Sequence, residues 1–210
     1  MRSKLFTSPL YRFFNRLADL ICVSLLTLLF SIPLITAFAA ITAAHNVIQD
    51  MIFDTESTIL KKYWQAFRFN YKQATISGLM LFGVAAIAMY NFIWFPNLFS
   101  GSFSFVLRLF FGILLFYVLA ISTSIFPIIS RYHNPIFQHF KNAVILCLYS
   151  PIRISLVTFI NILPLLILIF NPAFLIHTMA FWVFMGSGVL FYCSNLLLKK
   201  VLIKIESHTK

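Results

Sequence analysis

Long apolar blocks, broken at only a few places, set the pattern of this chain. The first block runs from Pro9 to Phe53 and is interrupted by Ser31-Ile32-Pro33. Ser8 suits an N-cap and Pro9 the first helical position, where a missing N–H costs nothing. Residues 9–32 would form a helix of about 36 Å and residues 34–53 one of about 30 Å. Each covers a hydrocarbon core of ~30 Å. Pro33 cannot donate to a helical ladder, and it pushes Ile32 away from helical angles. It therefore either kinks one long helix or starts a second. A continuous helix of about 68 Å would be more than twice the hydrocarbon thickness. The pattern favours a hairpin over 9–53, with Ser31 and Pro33 turning at the outer surface, against a single span with long amphipathic ends.

After the hairpin the periodicity changes. Over 55–73, Ile59, Leu60, Tyr63, Phe67 and Tyr71 recur at three-to-four spacing among Lys61, Lys62, Arg68 and Lys72. This predicts an amphipathic elbow whose Tyr63, Trp64 and Phe67 meet a membrane surface or a partner. Spans follow over 74–95 and 105–129, separated by a turn at Pro96. A second elbow occupies 131–153, and two more spans occupy 154–170 and 173–198, parted by Asn171-Pro172. The expected fold is all-α: a polytopic helical membrane protein of six transmembrane helices with two cytoplasmic elbows, forming one domain over 1–210. The elbows resemble each other at an offset of 77, pairing Ile59 with Ile136, Tyr63 with Phe140, Gln65 with Asn142 and Ala66 with Ala143. The repeating unit is span, turn, span, elbow, as expected of duplicated helical membrane proteins.

Composition narrows the class. The chain is 61% hydrophobic and 10% charged, with 26 Phe. A soluble domain of 210 residues has too little interior to hide that much apolar sequence, so the bilayer is the expected solvent. The net charge of +11 would otherwise raise nucleic acid as a partner. No basic stripe with interleaved stacking residues lies outside the spans, so nucleic acid is not expected. Of the 16 Lys and Arg residues, all but Arg108 fall within 1–16, 46–73, 131–153 and 199–210. Six spans with both termini cytoplasmic place all of these segments inside, whereas five-span arrangements strand the basic arm or both elbows outside.

The residues SPLYRFFNRLADLI (Ser8 to Ile21) and SIPLITAFAAITA (Ser31 to Ala43) resemble the start of the YesL family, bacterial membrane proteins whose domain lacks an assigned biochemical function. The specific motifs lie in the first 45 residues or so; the remainder is similar in layout. One departure is Phe38, which stands where the family usually carries glycine. The resemblance implies a bacterial plasma-membrane protein. It also implies association with carbohydrate uptake systems of the ATP-binding-cassette (ABC) type, beside which that family is typically encoded.

The residues themselves supply little chemistry. Phosphate-loop, H-E-x-x-H and G-x-S-x-G patterns are absent, and no cofactor, metal site or enzymatic activity is expected. Cys22, Cys147 and Cys193 read as small buried hydrophobes rather than a disulfide framework. Ala39/Ala43 and Ala40/Ala44 are small-xxx-small pairs that permit close helix contact, with a partner or in a homo-oligomer. Two functions stay in view. The first is an accessory or regulatory protein contacting ABC importer permease subunits. The alternative is a permease-like subunit moving a small solute itself. For the second, Ser122, Thr123, Ser124 and Asn161 are candidate solute-lining residues, and Pro164 interrupts the same span as Asn161. Back-bonding of the hydroxyls to helix carbonyls is the simpler reading of the 122–124 patch.

Overall fold

The computed structural model describes residues 9–53 and 58–208. Within them the chain is helical, with no strand. The helices are α1 (Pro9–Phe30), α2 (Ala37–Ile52), α3 (Ile59–Trp94), α4 (Ser102–Arg131), α5 (Ile136–Tyr149), α6 (Pro151–Phe170), α7 (Pro172–His177), α8 (Met179–Phe181) and α9 (Ser187–His208). Short 3-10 turns cover Leu34–Thr36 and Phe95–Leu98, and a π-helical turn covers Trp182–Gly186. The basic arm before Pro9 and residues 55–57 of the first elbow lie outside the described residues.

Five segments are long and apolar enough to cross a membrane: Phe13–Phe30, Ile59–Leu98, Ser102–Arg131, Pro151–Phe170 and Met179–Lys199. The predicted second span, 34–53, is not among them, because its α-helix is only 16 residues long. At about 24 Å it falls short of a hydrocarbon core. It is also enclosed. Ala39, Ala40, Ala43, Ala44 and Ile48 have no exposed surface, and α1, α3, α4 and α9 all pack against it.

The chain does reverse between α1 and α2. The α1 helix stops at Phe30, Pro33 is extended at φ −75° and ψ 114°, and Thr36 Oγ1 donates to the carbonyls of Phe30 and Pro33. Direction follows from α9. Gly188 N–H donates to Ser24 Oγ, and Arg16 reaches Tyr192, so α1 runs antiparallel to α9. His45 meets Asn195, and Lys199 meets the Ile52 carbonyl, so α2 runs parallel to α9. The two arms of the hairpin are therefore antiparallel. Its tip lies beside the middle of α3, where Thr75 Oγ1 donates to the Ile35 carbonyl at 3.5 Å. It does not reach the end of α3 at Trp94.

Two predicted boundaries differ. The first elbow and the third span are one 36-residue helix, α3, of about 54 Å. Nothing at Gln73-Ala74 breaks the ladder. In the second unit the elbow is separate, because Ser150-Pro151 ends α5 and starts α6. The elbow helices begin at the residues paired by the 77-residue offset, Ile59 and Ile136, each after an extended residue. Ala66 and Ala143 are both buried on their inner faces. The last span is the other difference. Residues 173–198 are not one helix but α7, α8, a π-turn and α9.

Two glycines set how closely helices approach. A Cβ on Gly188 would come within 2.6 Å of the Leu20 carbonyl oxygen and 2.7 Å of Ser24 Oγ. A Cβ on Gly78 would fall on the ring of Phe38. The bulky residue at position 38 thus lies in the gap that glycine leaves at 78.

Candidate functional site

The polar side chains that apolar helices bury gather where α2, α4 and α9 meet. Gln49 is the centre. Its Nε2 donates to the Pro127 carbonyl at 3.0 Å and to Asn195 Oδ1 at 3.1 Å, while its Oε1 accepts from Ser130 Oγ at 3.3 Å. Asn195 Nδ2 lies 2.8 Å from His45 Nδ1 and donates to the Phe191 carbonyl at 2.8 Å. His45, Gln49, Ser130 and Asn195 are each at most 4% exposed. An unpaired polar group in such surroundings is costly, so a connected network is the form in which these groups persist. Lys199 Nζ caps the carboxyl end of α2 through the Ile52 carbonyl at 3.0 Å, favourably placed against the helix dipole. The Phe53 ring meets two cations, Arg131 at 4.1 Å and Lys199 at 5.0 Å from its centre.

Beside this junction lies a cleft of about 380 Å³ between α2, α3 and the end of α4. Asn46, Asp50, Lys62, Asn70 and Arg131 line it, with Phe69 and His133 at its edge. Asp50 and Lys62 form an ion pair at 2.9 Å. Phe69 and His133 meet edge to face at 4.7 Å. Asn46 Nδ2 donates to the Ser130 carbonyl at 2.6 Å, and its Oδ1 is buried without a partner. On the inner face of α5, His139 is wholly buried, and burial pulls its pKa below the usual histidine range. A second cavity of about 300 Å³ lies at the far end of α6, lined by Leu163, Phe174, Trp182 and Leu190.

The residues singled out from sequence fall into three groups. Tyr63 and Phe67 are buried inside this chain. Tyr63 Oη donates to the Ala40 carbonyl at 3.0 Å, and the Phe30 ring packs against Tyr63, Trp64 and Phe67. Of the three elbow aromatics Trp64 faces outward, at 46% exposed. Ala39 and Ala43, expected as a surface for a partner, are wholly buried within the bundle. Their small side chains let neighbouring helices of the same chain close over α2, which leaves them inaccessible from outside. The candidate solute-lining residues are engaged internally. Ser122, Thr123 and Ser124 donate to the carbonyls of Val118, Ala120 and Ala120. Thr123 also meets Thr158 at 3.1 Å, and Asn161 joins α6 to α9 through Ser194 at 2.8 Å. Neither cavity described above is lined by any of these four residues.

Gln49, Asn195 and Ser130 were missed as a group. The available signal was an amide inside an apolar run, which by default marks a functional or packing site. Their partners lie up to 150 positions away, beyond any local pattern.

Residues 20–92 match the family model described as "Protein of unknown function, DUF624". The match takes in the second half of α1, all of α2 and nearly all of α3, hence the α2 side of the junction and two walls of the cleft. No curated protein and no solved structure matches the chain.

Proposed function

We propose that this chain is an integral accessory or regulatory protein of a bacterial plasma membrane, with both termini cytoplasmic, that docks on a neighbouring transport complex. The likeness of residues 8–43 to the YesL family makes a carbohydrate importer of the ABC type the proposed complex. In this reading the α1–α2 hairpin enters the bilayer and returns, α3 and α4 cross and recross, and α6 with the α7–α9 segments forms the last pair. The observation that carries the docking role is the outer face of the elbows. Phe137 is 81% exposed, Ile152 77% and Leu148 69%, although the opposite face of α5 is packed on the bundle. Trp64, half exposed on α3, is a second outward-facing elbow aromatic. The internal engagement of the hydroxyls at 122–124 also favours docking over solute passage.

Charge gives the orientation test. In a cysteine-free background, Ser102→Cys should react with an impermeant thiol reagent on intact cells, and Lys61→Cys only after permeabilisation. Labelling of position 61 on intact cells would invert the arrangement.

Docking is tested by mild detergent extraction, which should bring down importer permease subunits in stoichiometric amount. Phe137→Asp, at an exposed position, should leave yield and thermal midpoint unchanged but cut co-purification about tenfold or more, the scale of losing one aromatic anchor. Trp64→Asp should cut co-purification likewise and also lower the midpoint, because Trp64 packs on Phe30 and Phe67. Full partner recovery with both substitutions would remove the elbows from the interface. Uptake of a sugar by the purified chain alone in liposomes would make it a carrier instead.

A further inference from the structure

We propose that the cleft between α2, α3 and α4 is a binding site for a small neutral polyhydroxylated group. The inference rests on which hydrogen-bonding positions remain open. Asn46 Nδ2 donates to the Ser130 carbonyl and Asn70 Nδ2 to the Ala66 carbonyl. A carbonyl only accepts, so both amide orientations are fixed by their partners. What each asparagine still offers is an oxygen. That of Asn46 is sealed from solvent and without a partner, and Asn70 is only 4% exposed. Asn46 Oδ1 is thus a buried acceptor without a donor, and Asn70 brings a second amide to the same cleft.

The wall around them carries the opposite set. Lys62, Arg131 and the exposed amide of Gln65 bring donors, and Asp50 adds a carboxylate. A cation entering the cleft would meet Lys62 and Arg131. An anion would meet the two amide oxygens and Asp50. A hydroxyl both donates and accepts, and several on one small frame meet both sets without burying a charge. Phe69, 67% exposed at the rim, presents apolar surface to the C–H face of such a frame. The volume of about 380 Å³ falls within the range of small-molecule sites. Two sources carry this chemistry, a free polyol or sugar and the hydroxylated headgroup of a lipid. Phe137 and Leu148, the exposed apolar residues of α5, do not line the cleft.

The test uses the full chain in phosphatidylcholine nanodiscs, whose headgroups carry no hydroxyl. Glycerol, myo-inositol and glucose are titrated by saturation-transfer difference NMR. A saturable signal at millimolar concentration or below is expected for at least one, weakened about tenfold or more by removing a hydroxyl from that probe. Asn70→Leu should abolish it. If that variant fails to fold, the rim pair Gln65→Leu and Phe69→Ser should weaken the signal at least tenfold, while Phe137→Asp leaves it intact. Thermal stabilisation of the wild type, but not of the cleft variant, in phosphatidylglycerol discs would identify a headgroup as the source. Absence of saturable binding by all three probes together with identical behaviour in the two lipids would overturn the proposal. So would binding indifferent to the cleft substitutions.

Discussion

Gly78→Ala is expected to lower stability by about 1–3 kcal/mol, the usual scale of overpacking a filled interior. The added methyl would fall on the Phe38 ring. That ring has little room to move, because it is also stacked on Phe126 at 6.0 Å with an interplanar angle of 11°. In a chain of this length the loss corresponds to roughly 2–12 °C in thermal midpoint, at ~2–4 °C per kcal/mol. The informative comparison is the pair Gly78→Ala with Phe38→Gly. Phe38→Gly alone opens a void and should also destabilise. The double variant should be more stable than the sum of the singles by about 1 kcal/mol or more, since one change removes the clash created by the other. Strict additivity of the midpoint shifts in the same detergent would mean that the two positions are not in contact.

Gln49→Leu is the second large expected effect. Leucine fits the volume but satisfies none of the partners. The Pro127 carbonyl keeps the Ser130 hydroxyl as a donor at 2.8 Å, but Asn195 Oδ1 loses its only hydrogen bond to the junction. One buried orphan costs about 1–3 kcal/mol, and the lost bonds to Pro127 and Ser130 raise the expected total to ~2–4 kcal/mol. Ser130→Ala is the control. It removes one hydroxyl and leaves Gln49 Oε1 without its donor, so it should cost about 1–2 kcal/mol, less than Gln49→Leu. Adding Asn195→Leu to Gln49→Leu should cost less than the sum of the singles, because both halves of one pair are then gone. Equal effects of Gln49→Leu and Ser130→Ala on the thermal midpoint would contradict the central place given to Gln49.

The same residues show where a sequence can and cannot be read. Turn chemistry was legible. Pro33, Pro96 and Asn171-Pro172 each end a helix where their backbone constraints require it, and Asn171 Oδ1 accepts from the Phe174 N–H to start α7. The start of each elbow helix was implicit in the offset pairing Ile59 with Ile136. The elbow-to-span junction was legible only where a breaker exists. Ser150-Pro151 separates two helices, but the switch from amphipathic to wholly apolar at Gln73-Ala74 changes the environment of α3 without changing its backbone. Length and apolarity suggested that residues 34–53 face lipid. Their alanines instead admit neighbours on every side, a property of the partners rather than of α2 itself. The interruption at Thr178 through Gly186 has no proline and left no local mark. The hydroxyls at 122–124 were legible as back-bonded side chains, since their partners lie three or four residues away. The junction around Gln49 was not, because its partners sit on α4 and α9.

The enclosure of α2 has a consequence for biogenesis. A nascent chain inserts from its amino end, and α2 emerges early, short and carrying His45, Asn46 and Gln49. The groups that complete it arrive late: Asn195 lies 150 residues after His45, and Lys199 lies 147 after Ile52. At ~5–20 residues per second, α2 waits on the order of 10–30 s for them. For the first half of that interval its amides have only α1, α3, lipid and water for company; Pro127 and Ser130 of α4 then reach Gln49 and Asn46, while His45 still lacks Asn195. A chain halted after α6 would therefore carry an open polar notch in its centre, a mark by which membrane quality control can tell an unfinished copy from a finished one.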